Sequence, residues 1–198
     1  TDAGSSADAV NDGYGIKDAG GNDVTANFTN VTKVDGTLTV DKAPVTITTG
    51  SDSKEYDGTP LTKAEAGITG LKNGETATVT ATGSQTEVGS SDNTYSIDWG
   101  TTDEDNYLVT EDLGELTVTT SAAEVKLTAA DADKVYDGTA LTKTDGVTWT
   151  GLPEDFTVEA SSTGSQTDAG SSANAVNDGY VIKDAGGNDV TANFTNVT

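Results

Sequence analysis

Residues 1–32 of this chain reappear at 167–198 with two changes, Asp8 to Asn174 and Gly15 to Val181. A copy this faithful, at an offset of 166 residues, marks a repeat architecture, in which one supersecondary unit is duplicated along the sequence. A looser repeat runs at half the distance. "KEYDGTPLTK" (Lys54–Lys63) returns as "KVYDGTALTK" (Lys134–Lys143), and "GLKNGETATVTATGSQTEVGSS" from Gly70 aligns with "GLPEDFTVEASSTGSQTDAGSS" from Gly151. The basic module is therefore about 80 residues long, a size that folds as one small domain. Residues 1–42 read as the C-terminal part of a module, 43–121 as a complete module, and 122–198 as a module without its last strand. The segment "KVDGTLTVDK" (Lys33–Lys42) has no counterpart after Thr198, and no signal peptide or wall anchor is recognisable, so the chain is expected to be an excerpt of a longer array.

Within each module the apolar residues alternate with threonine and serine. "TATVTAT" (76–82) has strict period two, as do segments 36–40, 45–48, 95–99, 115–119, 125–128, 156–160 and 180–182. That is the pattern of half-buried strands, and the β-branch of threonine suits their solvent face. Asp57-Gly58, Asn73-Gly74 and Gly186-Gly187 punctuate the pattern with turns. No window sustains a 3.6-residue period, although residues 61–67 could form one helical turn. The expected fold is all-β, a tandem of small Ig-like β-sandwich modules joined by the short linkers "DKAP" and "TSAA". A mixed α/β module with one short helix is the alternative.

Composition narrows function by exclusion. The 33 acidic residues outnumber the 10 cations, all lysines, giving a net charge of −23. Such a surface repels nucleic acid and anionic membranes. No stretch is long and apolar enough to span a bilayer. Cysteine and histidine are absent, which removes disulfides, thiolate nucleophiles and the commonest general base. Together with the repetition, this argues against an enzyme, since duplication multiplies length and valency more naturally than it multiplies active sites.

The shared phrase has a local structural reading. Tyr56 and Tyr136 are both expected in a thin core, each hydroxyl reaching a backbone partner at the edge. Asp57-Gly58 and Asp137-Gly138 supply tight turns, and Thr59 and Thr139 restart an extended segment. Two chemical readings stand beside it. Lys54 and Lys134 recur at one position and Asn106 and Asn193 at another, the residue types of an intramolecular isopeptide cross-link. Acidic loops at 18–23, 101–106 and 184–189 gather oxygen ligands and admit calcium, although neither loop type matches the twelve-residue calcium-loop pattern. No other cofactor is expected.

The ordered set "KxYDGTxLT", "GSQTxxGSSxN", "GYxI…DVTANF" and a closing "GTLTV" resembles the MBG/YDG-type tandem repeats of bacterial cell-surface adhesins, over essentially the whole chain. The resemblance implies an extracellular protein of a Gram-positive-like cell surface. Its repeats would form a structural stalk or fibre between adhesive parts. The alternative is a multivalent adhesive module for host or neighbour-cell glycans or proteins. The complete module departs from the pattern where "NTYSIDWGTTDEDNY" replaces the longer hairpin, so a ligand site there would not be common to all copies. The expected partners are adjacent modules or other copies of the chain, associating head to tail by strand complementation.

Overall fold

The computed structural model describes residues 2–198. Threonine-rich alternation becomes strand almost wherever it was expected. In chain order, β1 (Gly4–Asp8) and β2 (Gly36–Val40) belong to the first fragment. The complete module holds β3 (Ala43–Thr49), β4 (Asp52–Glu55), β5 (Ala66–Thr69), β6 (Thr78–Ala81), β7 (Gly89–Asp92), β8 (Tyr95–Asp98), β9 (Tyr107–Asp112) and β10 (Glu115–Thr119). The last module holds β11 (Lys126–Thr128), β12 (Leu141–Thr142), β13 (Thr148–Thr150), β14 (Thr157–Glu159), β15 (Ser165–Gln166) and β16 (Val181–Lys183). The protein is mostly β, with 38% strand and, among the described residues, no helix of seven or more residues. Residues 61–67, where the sequence allowed at most one helical turn, form none: Leu61 bridges Gln85, and β5 begins at Ala66. Short 3-10 turns occur at Thr25–Asn27, Glu104–Asn106 and Thr191–Asn193, just before the aromatic residue that closes each hairpin.

Two compact units partition the chain, and their borders differ from the sequence repeats because the complete module contributes to both. The first comprises Thr1–Ile47, Gly67–Val79 and Ile97–Asp112. In it β1 pairs antiparallel with β2, Gly4 opposite Val40. Val45 and Ile47 are buried on β3 because alternate side chains of a strand share a face. Tyr107 stacks on Trp99 with ring centroids 5.9 Å apart. Its hydroxyl donates to the Glu75 carboxylate and accepts from the Lys72 N–H, and the bond to Glu75 raises the phenol above its ordinary pKa.

The second unit comprises Thr48–Ala66, Thr80–Ser96 and Leu113–Thr198. Its central sheet has the order β4-β10-β7, with β10 parallel to β4 and antiparallel to β7. Leu116 and Val118 of β10 point inward while their threonine neighbours face out. They join Tyr56, Leu61, Val125, Leu127, Phe156, Ile182, Val190 and Phe194 in one core. That core draws on both sides of the repeat boundary at 121/122.

Polar clamps fix the corners of this unit. Asn93 is fully buried, and its amide donates to the carbonyls of Gly50 (2.8 Å) and Lys63 (2.9 Å). Asn174, its counterpart in the next repeat, donates to Ala130 and Lys143 in the same way. Buried carbonyls left without donors would each cost about 1–3 kcal/mol, so the asparagine ending "GSSxN" is structural.

Candidate functional site: a corner docked on the next repeat

The corner at Lys54–Leu61 is built by local hydrogen bonds before any packing is considered. Asp57 accepts from the Thr59 N–H (2.9 Å) and hydroxyl (2.8 Å) through one carboxylate oxygen, closing an Asx turn. Gly58 completes the turn at φ 78°, a left-handed conformation that side chains resist. The Lys54 ammonium caps the assembly, donating to Asp57 (2.6 Å), to the Thr59 hydroxyl (2.7 Å) and to the Thr59 carbonyl. The hydrogen bond from Lys54, together with those from Thr59, holds the Asp57 carboxyl down at about 2.

The second corner repeats this geometry. Lys134 donates to Asp137 (2.8 Å) and to the hydroxyl and carbonyl of Thr139, Asp137 accepts from the Thr139 N–H and hydroxyl, and Gly138 sits at φ 79°. The hydrogen bond from Lys134 likewise pulls the Asp137 carboxyl well below its usual range.

What differs is the cover. Tyr56 is 3% exposed, whereas Tyr136 is 62% exposed and its neighbour Val135 89%. The expectation that both tyrosines enter a core therefore holds for the first only. Tyr56 lies edge-on to Phe156 (centroids 6.2 Å) and to Phe194 (5.8 Å), and the two phenylalanines meet edge-on at 6.1 Å. Both phenylalanines belong to the following repeat. Such edge-to-face contacts add about 0.5–1.5 kcal/mol each beyond the area they bury. The glycine is pressed against the same ring: a Cβ at Gly58 would lie 2.6 Å from the Phe156 ring, whereas one at Gly138 would meet nothing within 4 Å. Among the described residues no ring pair lies against Tyr136 as Phe156 and Phe194 lie against Tyr56.

The tyrosine hydroxyl also departs from expectation. Its partner is the Asn193 side chain rather than a backbone group, and burial pushes the Tyr56 phenol upward. The Asn193 amide further donates to Glu87 (3.2 Å). In the first unit the equivalent Asn106 donates to Asp2 (3.3 Å) and accepts from the Ala3 N–H. Asp2 and Glu87 occupy the same position of the repeat, as "TDAGSS" and "TEVGSS" show, so both contacts join one repeat to the next in the same way. With so few cations, the acids at these junctions are met by amide N–H groups. Glu55 follows the same rule, accepting from the Ala122 N–H (3.1 Å).

The expected linker "TSAA" is part of this junction. Ser121 is buried, its N–H donates to the Asn193 carbonyl (2.8 Å), and its carbonyl accepts from Thr195 (3.1 Å). Ser121 and Val125 make parallel bridges to Phe194 and Val197. The connection is thus docked along the next repeat rather than strung between two bodies.

The residues singled out for a cross-link have these partners instead of one another. Lys134 faces Asp137 and Thr139, and Asn193 faces Glu87 and Tyr56. Lys54 is held by Asp57 and Thr59, and Asn106 by Asp2 and Ala3. In the acidic loops, Asp18 accepts from the N–H groups of Gly20 and Asn22, and Asp184 from Asn188, so these carboxylates close their own turns. Those hydrogen bonds, led in each case by Asn22 and Asn188, lower both carboxyls. Among the described residues no group of three or more acidic, cysteine or histidine side chains converges as a metal site would require.

Sequence reasoning located the phrase but missed its partner, because Phe156 and Phe194 carry no motif that points to Tyr56. One signal was present: Asn193-Phe194 recurs as Asn27-Phe28 and Asn106-Tyr107. Comparison of the chain with protein-family models, with curated proteins and with solved structures returned no match.

Proposed function

We propose that this chain is the repeat region of an extracellular structural protein, forming a stalk or fibre on a bacterial surface, without catalysis of its own. The reading rests on one observation above all: Tyr56 of one repeat is buried between Phe156 and Phe194 of the next, in a core continuous with Leu116 and Val118. A junction held by core packing, β-bridges and an Asn–Glu contact transmits bending and tension, which a tether of loose residues does not. The surface charge of −23 keeps neighbouring stalks apart and soluble. We take each complete repeat to be an Ig-like sandwich and the ordered motifs to reflect the MBG/YDG-type repeats they resemble.

Chains carrying two, three and four repeats test this. Their maximum dimension in small-angle X-ray scattering should grow by a constant step per repeat, and Tyr56→Ala should make the junction flexible. Collapse to a compact particle with added repeats would contradict a stalk. Robust binding on a glycan array would instead favour the adhesive reading.

A further inference from the structure

In the complete module β10 is held on both edges. On one side it pairs parallel with β4, from Leu116 opposite Asp52 to Thr119 opposite Glu55, and on the other antiparallel with β7. Further bonds extend the parallel side in both directions. The Tyr56 N–H donates to the Thr119 carbonyl (2.8 Å), and the N–H groups of Gly114 and Glu115 donate to the hydroxyls of Thr49 (2.9 Å) and Ser51 (3.0 Å). At Gly114 the two segments touch backbone to backbone, since a Cβ there would run into the Gly50 carbonyl.

Parallel neighbours cannot be joined by a tight turn, so this ladder joins segments far apart in sequence, with residues 56–114 between them. The chain enters β4 at one end of the ladder and leaves β10 at the other. Parallel strands pulled from opposite ends slide past one another, and every bond of the ladder is loaded at once. The same strands pulled from one end part bond by bond. The pattern recurs directly afterwards, where residues 121–127 run parallel to 194–198. Ser121, Val125 and Leu127 donate to the carbonyls of Asn193 (2.8 Å), Asn196 (2.9 Å) and Thr198 (2.7 Å), and Thr195 and Thr198 donate back to Ser121 and Val125. Tension leaving β10 therefore passes straight into a second parallel pairing.

We propose that the parallel ladder of β4 and β10 is the load-bearing element of the repeat, a shear clamp that resists extension when the chain is pulled along its length. The repeated corner phrase closes this clamp: Lys54 lies opposite Val118, its carbonyl accepts from the Thr119 hydroxyl (3.3 Å), and Tyr56 makes the last backbone bond. Resistance of this kind is set by the rate of unfolding under load and by the direction of pull, and is separate from equilibrium stability. The proposal rests on the stalk reading for its purpose, since a stalk is pulled along its length, but its test does not.

Single-molecule force spectroscopy on the full chain tests it. The sequence contains no cysteine, so two introduced thiols define the direction of pull. Asp52→Cys with Thr119→Cys draws the ladder from opposite ends, and Glu55→Cys with Thr119→Cys draws the same ladder from one end. All three side chains are exposed, so both variants keep the fold. At one loading rate the first pair should rupture at several times the force of the second, while chemical denaturation finds the two variants equally stable. Equal rupture forces, or a weaker first pair, would overturn the clamp and leave the shape of the stalk untouched. Repeats that collapse in X-ray scattering would remove the stalk, and a high rupture force in the first pair would still uphold the clamp.

Discussion

Lys54–Lys63 and Lys134–Lys143 differ at two positions, and their lysine, aspartate and threonine hydrogen bonds agree to within 0.2 Å. Tyr56 is nonetheless buried and Tyr136 exposed. The corner therefore takes its shape from its own hydrogen bonds, and docking supplies only the cover over the ring. A part that is preformed and merely covered loses little conformational freedom on docking, which is the condition for a rigid joint.

The comparison breaks most visibly at the ring. Tyr56→Ala should destabilise the chain by about 3 kcal/mol, as truncation of a buried aromatic does. Tyr136→Ala should fall within about 0.5 kcal/mol, as exposed substitutions do. Chemical denaturation followed by tryptophan fluorescence measures both, and equal costs would deny that the two corners differ. The glycines sharpen the same contrast. Gly58→Ala and Gly138→Ala share about 1–2 kcal/mol of left-handed backbone strain. Only Gly58→Ala also drives a methyl into Phe156, adding about 1–3 kcal/mol of overpacking. The difference between the two variants reports the docked contact alone.

Much of this molecule was legible in sequence, and the limit falls at a definite place. The nearly identical segments 1–32 and 167–198 show where. Both form the 3-10 turn at Thr-Ala-Asn, and both bond a backbone N–H to the turn threonine at 2.8 Å, Ile16 to Thr25 and Ile182 to Thr191. Phe28 is nevertheless 54% exposed and Phe194 6%. Turn chemistry and strand periodicity act over a few residues, so the all-β fold and the repeat length could be read directly. Burial is decided by residues more than a hundred positions away, Tyr56 against Phe194, and no local pattern encodes that pairing. The same reasoning explains the linker. "TSAA" is small and polar, like a tether, and only its bridges to the next repeat make it structural.

Two smaller effects should be the same in both corners. Lys54→Ala and Lys134→Ala remove partly exposed ion pairs, each worth less than about 1 kcal/mol, and should cost the same whether or not the corner is docked. A much larger cost for Lys54 would show that docking depends on the cage. The pH response is smaller still. Asp57 is held at about 2, below its ordinary value near 3.9, so its contribution is complete above that value and fades as pH falls toward 2. Half of its side chain is solvent-exposed, which screens the effect to well under about 1 kcal/mol. Asp57→Asn should flatten this part of the acid limb, and carboxyl-carbon NMR titration should place both Asp57 and Asp137 below the unperturbed aspartates.

The central claim is that Tyr56 reaches across the repeat boundary into the following module. Aromatic NOEs in a chain selectively labelled at tyrosine and phenylalanine rings test it most directly. The account predicts cross-peaks from the Tyr56 ring to both Phe156 and Phe194, and none from Tyr136 to any phenylalanine. A Tyr56 ring without those cross-peaks, as solvent-accessible as Tyr136, would contradict it.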